Sequence, residues 1–171
     1  NQVWSSDSPV MLSSETGTAY AYYPYADACT DIRAISIRAN STVQTDFMWG
    51  IPVSVSKDNR KATLVMKHAL AAVRITYVRG TYSGTGNVSK VSFGGNCIAV
   101  AGTLDATDGS ISNLAGKGTM LTPPQIATTL SSTLQEFELI VIPTGEKQGK
   151  IVITIDGKDY VLEFGDIELH Q

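Results

Sequence analysis

The residues able to do chemistry are few. Two histidines, His68 and His170, and two cysteines, Cys29 and Cys97, are the whole stock of imidazole and thiol in 171 residues. His68 closes the alternating run "KATLVMKH", on the face shared by Ala62, Leu64 and Met66. An imidazole there can act as a general base, but a base needs a nucleophile to activate, and no Ser or Cys nucleophile motif accompanies it. His68 is therefore expected in the core, bonded to a backbone carbonyl. His170, next to the last residue, is expected to be loose. Neither cysteine belongs to a CxxC pair, so a zinc centre is not supported and no metal is expected. Cys29 and Cys97 can be bridged if the protein is exported; the other reading is a buried, apolar Cys97 with Cys29 in a loop.

Carboxylates and glycines add little. Glu136 and Glu138 share the outer face of one strand, which suits a solvated face better than a glycosidase dyad. "DATDG", Asp105 to Gly109, lacks the alternating oxygen ligands and terminal Glu of an EF-hand and reads as an Asx-type hairpin turn. "GTYSGTG" has glycines but no following helix, so it is no phosphate cradle. No cofactor and no enzymatic activity are expected.

Composition narrows the partners. The formal net charge is -3 and Lys and Arg are scattered singly, which excludes a phosphate backbone as partner. No apolar run reaches the length of a membrane span. Hydrophobic content of 43% against 17% charge supports a packed core. The opening "NQVWSSDSPV" lacks a signal-peptide pattern. The chain is expected to be a mature or trimmed form, or a fragment.

The elements that must position these residues are strands. "AISIRAN" sets Ile35 and Ile37 opposite Ser36 and Arg38. "AAVRITYV" sets Val73, Ile75 and Tyr77 opposite Arg74, Thr76 and Val78. "EFELIVIP" aligns Phe137, Leu139 and Val141; "KIVITI" and "DYVLEF" align Ile151, Ile153, Ile155 and then Tyr160, Leu162, Phe164. Period two marks strands with one buried face. Asp156-Gly157 between the last two runs accommodates positive φ and predicts a tight hairpin. Helix signals are weak; "LTPPQIATTLSSTLQEF" offers at most a turn after Pro124. Many short strands between Gly, Asn and Asp turns mean a β-sandwich or barrel.

Four of the seven tyrosines fall in "YAYYPYADACTD". Tyr20 and Tyr22 share one strand face, and Pro24 ends the strand or keeps it at an edge. Tyr22, with Tyr20 beside it, is expected in or near the core, where a tyrosine buries area and keeps its hydroxyl at the rim. Tyr23 and Tyr25 are expected to be exposed, and clustered exposed aromatics can serve as a sugar-stacking surface.

The order of these motifs resembles the fimbrillin family, the fimbrial subunits and related surface proteins of Bacteroides-type bacteria. The matching residues are the aromatic run Tyr20 to Tyr25, the loop end "DFMW" from Asp46 to Trp49, and "MKHALAAV" from Met66 to Val73. The later "LIVIPTGEKQGKIVITIDGKDY" is similar to the family's Ile-Pro strand and Gly-Lys-x-Tyr hairpin. Met66 departs from the family's usual Phe. The early strand region and lipidated cysteine signal of family precursors are not seen ahead of Tyr20, and the further terminal strands are not seen after the hairpin.

The resemblance implies an all-β, transthyretin-like Greek-key sandwich, expected as two small domains in tandem, residues 1–114 and 115–171. It also implies export as a lipoprotein to the outer membrane and cell surface, and assembly with other fimbrial subunits by strand exchange. Ile167 and Leu169 alternate with Asp166 and Glu168 in "GDIELHQ", making the tail a candidate donor strand; the alternative is that it pairs within its own domain. The expected function is a structural fimbrial subunit. The alternative is a tip adhesin or binding module for a glycan or host protein.

Overall fold

The computed structural model describes residues 8, 10–12, 15–124 and 128–171. The N-terminal reading falls mostly, and the turn after Pro124 largely, outside these residues. Among them sixteen short strands form five sheets, with no helix. The largest sheet is built on β8 (Asn87–Gly94), with β12 (Met120–Leu121) and β13 (Thr128–Thr129) along one side and β15 (Gly149–Ile155) along the other, and β16 (Lys158–Phe164) outermost. A second sheet orders β7 (Ala71–Tyr77), β14 (Gln135–Pro143) and β9 (Ile98–Ala99). A third orders β11 (Ile111–Ala115), β10 (Ala101–Leu104) and β3 (Ile35–Arg38). A fourth orders β2 (Tyr22–Tyr23), β4 (Met48–Gly50) and β6 (Met66–His68), and β1 (Thr16–Ala19) pairs with β5 (Val53–Ser56). All these pairings are antiparallel.

The sheets enclose one continuous core in a sandwich-like arrangement. Ile35 and Ile37 of β3, Val73 and Ile75 of β7, Val88, Val91 and Phe93 of β8, and Leu139 and Val141 of β14 all belong to it. Alternation explains most of these positions, since each strand sends every second side chain inward. Val88 and Val91 are an exception: three residues apart, they cannot share a face in a regular strand. A bulge opposite Thr154 and Ile155, where Lys90 and Val88 are their partners, absorbs the extra residue and turns both valines inward. Ser92, also buried, is satisfied by the Thr122 hydroxyl at 2.7 Å.

The β15–β16 hairpin closes through Asp156 and Gly157, with φ of 49° and 78°, as two left-handed residues in a row require.

Three expectations need correction. The boundary at 114/115 does not separate two sandwiches, because β14 pairs with β7 along seven residues and β15 pairs with β8. Residues 115–171 thus complete sheets begun before them. The run "KATLVMKH" is not one strand; only Met66–His68 pairs. Finally, Leu162 shares its strand face with Ile151 and Ile153 but is 62% exposed. It stands on the outermost strand, beyond the part of the sheet that the core covers.

Candidate functional site

β7 and β16 are the last strands of their sheets, and each leaves one edge without a partner among the described residues. In a hairpin with two loop residues the closing pair, Ile155 and Lys158, exchanges hydrogen bonds, and pairs then alternate. The backbone groups of Asp159, Val161 and Glu163 therefore point away from β15, to the open edge. Tyr77 at the end of β7 and Tyr160 of β16 both line a cleft of about 380 Å³, together with Ile153 and Ile155 of β15, Tyr82 and Leu130 among others.

The wall of this cleft is held by a polar network. Asp156 accepts the Tyr82 hydroxyl at 2.8 Å and the backbone N–H groups of Gly86 and Asn87 at 2.9 and 2.8 Å. Arg79 donates to the carbonyls of Tyr82 and Gly84 at 3.2 and 2.5 Å. The Gly86 N–H, then that of Asn87, holds the Asp156 carboxyl below its ordinary value. The same carboxylate is the first cause that pushes the Tyr82 phenol up to about 12. Gly84 is required here by close approach, since a Cβ would lie 2.7 Å from both Asp156 Oδ2 and the Tyr82 ring. Tyr82 also meets Tyr160 edge to face, at 6.2 Å between centroids. The charged groups of the wall are thus each engaged, Arg79 by carbonyls and Asp156 by Tyr82 and backbone N–H groups, and what the cleft presents is mainly apolar side chains.

The candidate donor tail lies at home. Ile167 and Leu169 pack partly buried against the core, while Asp166, Glu168 and His170 face outward. The Ile167 N–H donates to the Lys147 carbonyl at 3.2 Å, and Lys147 pairs with Glu168.

The aromatic run departs from its expectation at Tyr20, which lies between β1 and β2 and is exposed rather than beside the core. Tyr22 is half-buried against the core; Tyr20 is 42%, Tyr23 56% and Tyr25 79% exposed. Tyr23 pairs with Met48, which pairs with His68; on the opposite face Tyr22 pairs with Trp49, which pairs with Lys67. Trp49 packs against the core, and its indole lies over Gly109, where a Cβ would come within 2.2 Å of the ring. The turn that supplies Gly109 is of Asx type, with Asp105 accepting Thr107 N–H and Asp108 accepting Ser110 N–H, both at 2.8 Å.

His68 is not a core residue. Its side chain is 65% exposed and its Nδ1 lies 2.7 Å from Asp46 Oδ2. The core begins one residue later, at Ala69 and Leu70, where a bend between β6 and β7 shifts which residues face inward. Asp46 is legible in the sequence only as the start of the "DFMW" motif, because it lies 22 positions from His68 with no local pattern linking the two. Asp156 was legible only as a turn residue.

The cysteines are separate in this structure. Cys97 is fully buried and its thiol is pushed up by desolvation. Cys29 is half-buried in a loop beside Tyr22, and its thiol is the first cause of a raised Tyr22 phenol. Among the described residues no group of His, Cys, Asp and Glu is placed to hold a metal ion, and no helix is long and apolar enough to cross a membrane.

The described residues form an all-β sandwich-like arrangement with unpaired sheet edges. The sequence matches the fimbrillin-like family over residues 1–168, and the chain belongs to that family. Among solved structures it is similar to a candidate cell adhesion protein from Bacteroides ovatus, at 16% identity and a TM-score of 0.64. The match covers 92% of this chain and 61% of that one, so the chain spans about three fifths of its neighbour's length. No curated protein matches it.

Proposed function

We propose that the protein is a non-enzymatic structural subunit of a bacterial surface fimbria, joined to neighbouring subunits by strand addition at the outer membrane surface. Family membership supports the fimbrial and adhesive role in general terms. The observation that carries the assembly step is the pair of open edges, β7 and β16, whose Tyr77 and Tyr160 both line an apolar cleft. An extended segment there would bond to the outward backbone groups of Asp159, Val161 and Glu163 while its alternate side chains covered Leu162, Tyr160 and the cleft. The tail Asp166–Gln171 is the donor we favour. Its apolar residues alternate, and its attachment at home rests on the Lys147 contacts and two partly buried side chains. Lipoprotein export and transthyretin-like connectivity belong to the same reading. Deleting Asp166–Gln171 and following oligomers by size-exclusion chromatography with light scattering tests the donor. The folded, shortened chain should lose the oligomers of the full chain; identical oligomers from both would rule the tail out.

A further inference from the structure

The outward face of the β2–β4–β6 sheet carries an arrangement that assembly does not use. We propose that it is a binding subsite for a neutral saccharide with adjacent hydroxyls, formed by Tyr23, Met48, His68 and Asp46. The register places Tyr23, Met48 and His68 in one row across three strands. Two strand spacings separate Tyr23 from His68, about 10 Å between Cα atoms. That width accepts one pyranose ring over Met48 with a side chain on each side. The opposite row anchors the platform, because Trp49 is seated on Gly109 and Lys67 lies 5.7 Å over the same indole. A sugar presents an apolar C–H face and a rim of hydroxyls, and the row offers a counterpart to each. The half-exposed Tyr23 ring supplies an electron-rich face for the C–H groups.

His68 and Asp46 supply the polar side. An ionised carboxylate only accepts, so the 2.7 Å contact between His68 Nδ1 and Asp46 Oδ2 fixes the imidazole proton on Nδ1. Nε2, the other ring nitrogen, is left to bond a hydroxyl, as acceptor in the neutral ring or as donor in the imidazolium, and Asp46 Oδ1 has acceptor capacity left. Two polar atoms on one hydrogen-bonded pair match two neighbouring hydroxyls of a sugar, each of which both donates and accepts. The pair also opens onto a cleft of about 310 Å³ lined further by Ala72, Glu138 and Ile140 and, while the tail lies at home, by His170 and Gln171. Glu138 is held there by Arg74 at 3.2 Å. The cleft gives room for a second sugar unit, and the two carboxylates disfavour an anionic one. The loop bearing Asp46 is pinned by Gln44, which accepts the Ile140 N–H and donates to the Asn40 carbonyl, both at 2.6 Å.

The subsite extends the adhesive role, but it lies on strands other than β16, so its failure would leave strand addition untouched. The test is saturation-transfer NMR on the full chain with methyl mannoside, methyl galactoside and methyl glucoside, and with sialic acid as the anionic probe. At least one neutral hexoside should receive saturation on its ring C–H protons. Tyr23→Ala and His68→Phe should each weaken its binding tenfold or more, with unchanged thermal unfolding, while Tyr160→Phe leaves binding as it was. No transfer to any neutral hexoside overturns the proposal. So does binding that survives both Tyr23→Ala and His68→Phe, or tighter binding of sialic acid than of every hexoside.

Discussion

The Tyr82 hydroxyl donates to Asp156 Oδ2 across 2.8 Å, joining residues 74 positions apart. This bond ties the glycine-rich loop before β8 to the turn of the β15–β16 hairpin. The same carboxylate accepts the backbone N–H groups of Gly86 and Asn87, so one side chain serves three donors. The outer hairpin has few buried side chains of its own, and this junction fixes where its open edge stands relative to β7.

The junction has a pH signature. The Asp156 carboxyl lies below its ordinary 3.8, mainly through the Gly86 and Asn87 donors. A carboxyl depressed on folding contributes stability that is present above the ordinary value and lost as pH falls through its own lower one. Asp156→Asn keeps a residue that tolerates the turn but removes the charge. The variant should melt lower at neutral pH and lose less stability on acidification below about pH 4. Parallel stability curves for both proteins would contradict this.

Tyr82 gives the opposite limb. Its phenol moves from an ordinary 10.0 to about 12. A phenol raised on folding contributes stability that is present below the ordinary value and lost as pH rises through the folded one. Tyr82→Phe should therefore remove part of the stability loss between 10.0 and about 12, read by thermal melts across that range.

The cysteines should differ in reactivity. With no bridge and with Cys97 buried, the native protein should present one slowly alkylated thiol, Cys29, and unfolding should add a second. Mass spectrometry before and after denaturation reads this out. A linked Cys29–Cys97 peptide without reductant would refute it.

Gly109 and His68 separate a structural from a surface role on the same small sheet. Gly109→Ala meets the Trp49 indole and forces a side chain onto a backbone at φ +80°, so it should destabilise by about 1–3 kcal/mol. His68→Ala removes an exposed pair and should stay within about 0.5 kcal/mol of the parent. Denaturant melts giving the reverse order would overturn both assignments.

Much of this fold was legible because alternation states which face of a strand is apolar. Ile35, Ile37, Val73, Ile75, Leu139 and Val141 are buried as their spacing requires, and Asp156-Gly157 makes the predicted turn. Alternation does not state whether another layer reaches that face, which is why Leu162 looked like core and is exposed. Nor does it register the bend after His68, which moved the imidazole outward and the next residues inward. The Asp46–His68 and Tyr82–Asp156 pairs are tertiary contacts between segments far apart in the chain, so no local pattern contained them. The tandem division failed for a related reason: β14 and β15 read locally as a new unit but find their partners in β7 and β8.

Strand addition at β16 is the claim on which the assembly account rests, and Val161 tests it most directly. Its N–H points to the open edge rather than to β15, so Val161→Pro removes an outward donor while sparing the hairpin's own bonds. The measurement is light scattering coupled to size-exclusion chromatography over a wide concentration range, with thermal melts to verify that the variant is folded. The account predicts concentration-dependent assembly of the native chain and a folded, monomeric Val161→Pro. Equal assembly by both proteins, or a native chain that stays monomeric at the highest concentration, would contradict it.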